Sequence, residues 1–226
     1  MRNLEGVQEQ SVPVFLSGDS SAHSSIRPAH GSDLPYIYDI CLKTADAGAD
    51  ASRLFRDPLL IGQYYAAPYF FHDISLCFVL TEAHIPAGYI VAAADTRAFN
   101  EWMNRTWLAP LRLRYPLPYP QERTNSPTEL QIISLLHQPA EEEPNQTWLS
   151  AYPAHLHIDL LSTQQGKGYG RELMKTLCAS LQERNVPGVH LGVSKRNCGA
   201  VAFYKRMNFT VIQEENWGFI LGKKLH

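Results

Sequence analysis

The sequence predicts an α/β fold, a mixed sheet flanked by helices, and two observations point to it. Residues 155–221 carry strand and helix signals in the order strand, helix, strand, helix, strand, strand, with helical segments apolar at 3.6-residue spacing and strands marked by short apolar runs. Upstream, a short strand, two helical segments and two more apolar runs of strand length supply the other half. The 226 residues fit one large domain or one domain with an insertion. Hydrophobic residues make up 45% and charged residues 19% of the chain, enough apolar material for a sizeable core.

Taken in order, residues 1–23 lack sustained periodicity and are expected to form a flexible arm ahead of a single domain, 24–226. Ser25-Ile-Arg-Pro reads as a strand. Ser32 or Asp33 then caps a helix carrying Leu34, Ile37, Ile40 and Cys41, which Gly48 ends. Asp57-Pro58 opens a second helix with Leu60, Ile61, Tyr64 and Tyr65, and this one stops before Pro68. Residues 76–81 and 88–94 read as an antiparallel hairpin. Eight of the 15 prolines lie between Pro110 and Pro153, where the capping box Ser126-Pro-Thr-Glu129 starts a helix. A structureless loop of that length is uncommon in a compact domain, so residues 97–150 are read as a helical insertion. Strand 155–161, helix 169–185, strand 189–193, helix 198–207 and strands 209–213 and 217–221 complete the domain.

Composition excludes several functions. Lys plus Arg is 20 against 22 for Asp plus Glu, a net charge of -2 with no long basic run, which argues against a nucleic-acid partner. The four cysteines have no C-x-x-C spacing, so neither a disulfide framework nor a zinc ribbon is expected. No stretch approaches the roughly 18 apolar residues of a membrane span, and the opening MRNLEGVQEQ has no apolar leader segment. A cytoplasmic protein with no membrane partner is expected.

Gln165-Gly-Lys-Gly-Tyr-Gly170 follows a strand and opens an amphipathic helix. Three glycines in five residues let main-chain N–H groups converge at the positive end of a helix, the arrangement that binds phosphate oxygens. A dinucleotide fingerprint begun at Gly166 would need glycine where Arg171 stands, and a Walker loop would need Ser or Thr after Lys167. A tight turn without a ligand is the bland alternative.

The Q-x-x-G-x-G pattern at a strand end, followed by Asn197-Cys-Gly-Ala200-Val-Ala-Phe203-Tyr204, resembles the acetyl-CoA-binding motif of GNAT-type N-acetyltransferases. The resemblance covers residues 155–213, and the upstream element order matches the family's N-terminal half. Asp46-Ala-Gly48, Asp95-Thr-Arg-Ala-Phe, Tyr152-Pro-Ala-His-Leu-His-Ile-Asp159 and the long insertion are similar to bacterial GNAT proteins related to the acetyltransferase-like C-terminal domain of O-GlcNAcase. Two positions depart from the family pattern: Asn208 stands for the glycine after the second helix, and Ser162 for a proline after the strand. Asparagine is the next residue able to take the left-handed conformation there.

The resemblance implies a GNAT-like fold that uses acetyl-CoA as cosubstrate. It implies that Gln165, Gly166, Lys167, Gly168, Tyr169, Gly170 and Arg171 cradle the pyrophosphate and that main-chain groups of Leu160 and Leu161 pair with the pantetheine arm. Asn197 and Tyr204 would line the thiol end. Acetyl transfer then needs an oxyanion donor, for which the Leu160 or Leu161 N–H is a candidate, and an acid for the departing sulfur, for which Tyr204 is one. Tyr204 also fits a core position on a helix face.

The base is sought on the strand, where His155, His157 and Asp159 alternate and share one face. Three buried polar groups are costly unless they lie in a cleft or are hydrogen-bonded. Asp159 is the first choice for base or amine binder, with His155, His157 and Asp95 behind it. No metal is expected, since two histidines and an aspartate adjacent on one strand lack a further ligating element. Tyr64, Tyr65, Tyr69, Phe70 and Phe71, with the acidic loop 46–50, would suit a cationic amine or belong to the core. The insertion, with Trp102, Trp107 and Tyr115, could be a lid, an acceptor wall or a homodimer surface. The acceptor stays open among small amines, sugar amines and protein lysines, and a catalytically inactive acetyl-CoA-binding module is the competing reading. A glycoside hydrolase barrel of about 250 residues does not fit beside these elements.

Overall fold

The computed structural model describes residues 24–138 and 146–226. The expected arm 1–23 and the acidic run 141–143 lie outside the described residues. Strand β1 (Ser24–Pro28) leads through a 3-10 turn to α1 (Leu34–Thr44), followed by α2 (Leu60–Tyr65), α3 (Ala67–His72), β2 (Cys77–Glu82) and β3 (Ile85–Ala93). Next come α4 (Thr96–Trp102), a π-helical turn (Met103–Trp107), α5 (Leu108–Arg114) and α6 (Pro127–His137). The chain ends with β4 (Ala154–Leu160), α7 (Tyr169–Glu183), β5 (Gly188–Ser194), α8 (Cys198–Arg206), β6 (Thr210–Glu214) and β7 (Gly218–Lys224).

Seven strands form one sheet in the order β1-β2-β3-β4-β5-β7-β6. Every pairing is antiparallel except β4 with β5. This mixed sheet between helical layers is the α/β class expected from the sequence. On one face, Ile37, Ile40, Tyr69, Tyr89 and Val91 form a core that continues into the insertion through Phe99, Leu111, Ile133 and Leu136. On the other, Leu173, Met174, Leu177 and Leu181 of α7 cover Leu80, Ile90 and Leu156, the stripe that a 3.6-residue period dictates.

Local chemistry accounts for the departures from the sequence reading. Helix α2 does stop short of Pro68, but Pro68 stands in the first turn of α3, where its missing N–H costs nothing. The β2–β3 connection is two residues, Ala83 and His84, both at positive φ. This is the geometry two-residue hairpins favour, reached without the Asn or Gly that would announce it. Asn208 has φ 64, the left-handed conformation expected of it.

Glu129 ties the insertion to the rest of the core. It is only 2% exposed, and its carboxylate accepts from the main-chain N–H groups of Arg56 (2.9 Å), Asp57 (3.2 Å) and Asn125 (2.7 Å). Ser126 Oγ in turn accepts from Glu129 N at 3.2 Å, completing the predicted cap. Glu129→Ala strands three donors, so a loss of about 3 kcal/mol is expected. Urea denaturation of wild type and variant measures it, and a change within a few tenths of a kcal/mol would disprove the role.

Candidate active site

The site begins where two strands part. Strands β4 and β5 pair at only Ala154↔Val189 and His155↔His190, whereas β4 pairs with β3 from Ala93↔His155 to Gly88↔Leu160. The parity of that ladder decides which groups face the opening. Leu161 N donates to Ala87 O at 3.0 Å, and hydrogen-bonded pairs alternate with non-bonded ones along an antiparallel ladder. The odd residues of β4 therefore direct N–H and C=O toward β3, and Leu156, Ile158 and Leu160 direct theirs into the gap beside β5. Leu161, one of two candidate donors from sequence, is consumed by the sheet, and Leu160 and Ile158 remain. The Leu160 carbonyl is held by Gln165 Nε2 at 2.9 Å.

The glycine loop closes one end of this gap. Gly166 and Gly168 have φ 74 and 89, which L side chains rarely adopt. A Cβ on either would meet no atom within 4 Å, so the loop lines open space. Among the described residues the N–H groups from Gly166 to Gly170 have no acceptor, and Lys167 and Arg171 are exposed beside them. A row of free donors at the start of a 15-residue helix fits a phosphate-bearing ligand. At Gly170 an added Cβ would lie 3.4 Å from the Phe203 ring, an ordinary contact, so nothing in the structure requires glycine at this third position. Asn197 caps α8, its Oδ1 accepting from Ala200 N at 3.0 Å. Tyr204 is 8% exposed, packs against Phe203 and Phe209, and makes no side-chain hydrogen bond among the described residues. Burial, reinforced by the Asp159 charge, pushes its phenol up, so it stays protonated.

At the opposite end lies a cavity of about 330 Å³ floored by His155, His157 and His190. Trp148, Glu215 and Trp217 form its walls. Gly192 makes room for Trp217, since a Cβ there would fall 2.8 Å from the indole.

His155 is locked in one tautomer. Thr96 Oγ1 gives its proton to Pro153 O at 2.7 Å, so it must accept from His155 Nδ1–H at 2.8 Å, leaving Nε2 to accept from the Tyr69 hydroxyl at 2.7 Å. His190 Nδ1–H donates to Tyr152 O at 2.8 Å, and the Trp148 ring lies edge-on to it. His157 makes no hydrogen bond among the described residues and rests between the Tyr65 and Tyr69 rings, 5.4 Å from each. Burial first, then mutual repulsion, pushes His155 well down and His157 to about 4. Burial likewise lowers His190 to about 4.

Neither of the two carboxylates from the sequence reading reaches this cavity's lining. Asp159 points to α1 and accepts from the Tyr89 hydroxyl at 2.5 Å, and burial raises its pKa. Asp95 is exposed and caps α4 by accepting from Arg97 N and Ala98 N. The aromatic cluster divides: Tyr65 and Tyr69 touch His157, Phe70 is core, and Phe71 is 58% exposed. Tyr69 belongs to the aromatic cluster and Thr96 to the Asp95-Thr-Arg-Ala-Phe run read from sequence, whereas Trp148, His190, Glu215 and Trp217 carry no motif of their own. For these four, a histidine within the apolar run Val189-His-Leu-Gly-Val193 was the available signal.

These buried neutral imidazoles make stability depend on pH. Their pKa falls on folding from the ordinary 6.5 to about 4 for His157 and His190, so the unfolded chain binds protons first. The stabilisation is complete above pH 6.5 and is lost as pH falls toward 4. A loss of about 1–2 kcal/mol for each is expected between pH 7 and 5. Urea titrations at the two pH values test this, and His190→Gln should flatten the slope; equal slopes would contradict the assignment.

A model described as the Acetyltransferase (GNAT) family matches residues 137–209. The crystal structure of SsHAT is similar over 90% of this chain and 98% of that one, with 38% sequence identity and a TM-score of 0.81. The chain belongs to the GNAT acetyltransferase family. At 13% identity and a TM-score of 0.54, the PaiA N-acetyltransferase from Thermoplasma acidophilum in complex with coenzyme A shares the fold over 89% of this chain and 99% of its own. PH1933 from Pyrococcus horikoshii OT3 does so at 14% and 0.55, covering 89% and 98%.

As a GNAT protein, the chain is an N-acetyltransferase that uses acetyl-CoA. The free N–H row, the positive-φ glycines and the unpaired edge of β4 fit that cosubstrate. Among the described residues no cluster of metal-ligating side chains occurs, and no helix is long and apolar enough to cross a membrane.

Proposed function

We propose that this GNAT protein acetylates a primary amine bound in the cavity over His155, His157 and His190, with His157 taking the amine's proton and Tyr204 giving one to the departing thiol. The observation that carries this reading is the placement of that cavity at the point where β4 and β5 part, at the far end of the gap from the glycine loop. Its walls, two indoles and the Glu215 carboxylate, suit an amine that arrives as a cation. When bound, acetyl-CoA supplies an activated acyl group with a thiol leaving group.

The chain's own residues do the rest. The loop from Gln165 to Arg171 holds the pyrophosphate, and Leu156, Ile158 and Leu160 offer main-chain groups along the roughly 13 Å from Leu160 back to Leu156, at about 3.3 Å per residue. One of their N–H groups donates to the acyl oxygen as negative charge gathers there, a preorganised dipole of the kind that outweighs most other terms. Asn197 fixes the start of α8 and thereby the position of Tyr204. Asp159, whose carboxylate accepts from the Tyr89 hydroxyl, is not given the amine's proton in this reading.

Thiol release against an amine panel tests the reading. We expect release to depend on the amine, and Tyr204→Phe to slow it by about tenfold, below the roughly hundredfold at which general acids usually start, because a thiol near pKa 8.5 already leaves readily. Release without any amine dependence, or none with any amine despite bound acetyl-CoA, would defeat the proposal and favour a binding module.

A further inference from the structure

A second hollow lies away from the catalytic cavity. It has a volume of about 460 Å³ and sits between the segment before α2, the end of α5 and the start of α6. Arg56, Arg114 and Arg123 line it, with Tyr115 and Tyr119. Its two carboxylates are already committed. Asp57 accepts from Arg114 Nη2 at 2.6 Å, from the Tyr115 hydroxyl and from Leu59 N at 2.9 Å. Glu129 is saturated by three main-chain donors.

Two cations are left over. Arg56 is steered by one bond from its Nη1 to Glu122 O at 3.2 Å, and neither its guanidinium nor that of Arg123 has a carboxylate partner among the described residues. Two unpaired guanidiniums over one concavity match the oxygen geometry of a carboxylate or phosphate, which a planar fork grips through paired N–H bonds. The Tyr115 and Tyr119 rings, 6.0 Å apart and inclined at 49°, give the hollow an aromatic wall for a flat body beside the anion.

We propose that this hollow is a second ligand site, taking a small organic oxyanion, a carboxylate or phosphate carried on a flat or aromatic body, between Arg56 and Arg123. None of the residues lining the catalytic cavity lines it, and its ligand is an anion where the catalytic cavity suits a cation. Helix α2 connects the two places, starting beside Pro58 in the hollow and ending at Tyr65 against His157.

Phenyl phosphate and benzoate are the probes, titrated by calorimetry into protein saturated with acetyl-CoA so that the glycine loop is filled. We expect millimolar binding of at least one probe by wild type, and binding weaker by about tenfold or more in the Arg56→Gln/Arg123→Gln double variant. Both side chains are exposed, so the variant should keep its thermal midpoint and its acetyl-CoA affinity. Amide shifts of residues 121–125 on adding the probe to wild type give a readout that needs no variant. No binding in the millimolar range, equal binding by the double variant, or shifts confined to other regions would each overturn the site. The amine reading can fail without touching this result, because the titration involves no acyl transfer.

Discussion

Gly168→Trp is expected to leave the fold standing and to weaken acetyl-CoA binding by about a hundredfold or more, because in the role proposed for it the loop binds through its backbone N–H groups. Gly168 is the N-terminal cap of α7 with φ 89, and an added Cβ meets nothing within 4 Å. No clash drives unfolding, and the strain of a positive φ costs about 1–3 kcal/mol. The indole would instead occupy the open space beside the loop. Calorimetry against acetyl-CoA measures the loss, and a thermal melt separates it from unfolding. Gly168→Asn is the companion, since asparagine tolerates the left-handed region; it should keep most of the stability while still crowding the cradle. Binding within a few-fold of wild type in the tryptophan variant would remove the loop from the cosubstrate site.

How much of this site could be read from sequence depends on how far its determinants reach along the chain. The geometry of the glycine loop, with Gly166 and Gly168 at positive φ ahead of a helix, was legible because its signals lie within six residues, Gln165 to Gly170, and the helix that follows announces its own period. Asn208 was legible for the same reason. Ladder parity was not: whether Leu160 or Leu161 offers its N–H to the gap depends on a bond from Leu161 to Ala87, a partner more than seventy positions away. Asp159 looked like a base on its own strand, yet the neighbouring strand supplies Tyr89, whose hydroxyl takes up the carboxylate. The locked state of His155 needs α3, α4 and β4 at once through Tyr69 and Thr96. Pattern on one element shows which face a residue shares, and only tertiary contact shows which lone pair is still free.

That distinction governs the second large effect, His157→Ala, which is expected to lower kcat by about a hundredfold or more with acetyl-CoA binding unchanged. Of the three cavity imidazoles, His155 spends Nδ1–H on Thr96 and its Nε2 lone pair on the Tyr69 hydroxyl, whereas His190 donates Nδ1–H to Tyr152 O and keeps its Nε2 lone pair, so His190→Gln is the control: a loss of kcat equal to that of His157→Ala would move the base to His190. His157 alone is held by ring contacts rather than hydrogen bonds among the described residues. With a pKa of about 4 it is a weak base, but it is neutral throughout the physiological range and never has to shed a proton first. The ammonium first gives one proton to solvent and attacks as the neutral amine; His157 becomes adequate once the nitrogen has bonded to the acyl carbon, when the acidity of its remaining N–H rises. Once divided by the fraction of neutral amine, kcat/KM should therefore show no acid limb near pH 6.5, as an exposed histidine would give, and should fall only as pH nears 4. His155→Ala should differ in kind: it unlocks Tyr69 and Thr96 and strips an aromatic contact from Phe99, so it should cost stability as well as rate. Asp159→Asn separates the alternatives, because it keeps an acceptor for Tyr89 but removes the charge. If the asparagine variant loses about as much kcat as His157→Ala, the carboxylate is the base after all; if it stays within a few-fold of wild type, the proton goes to His157.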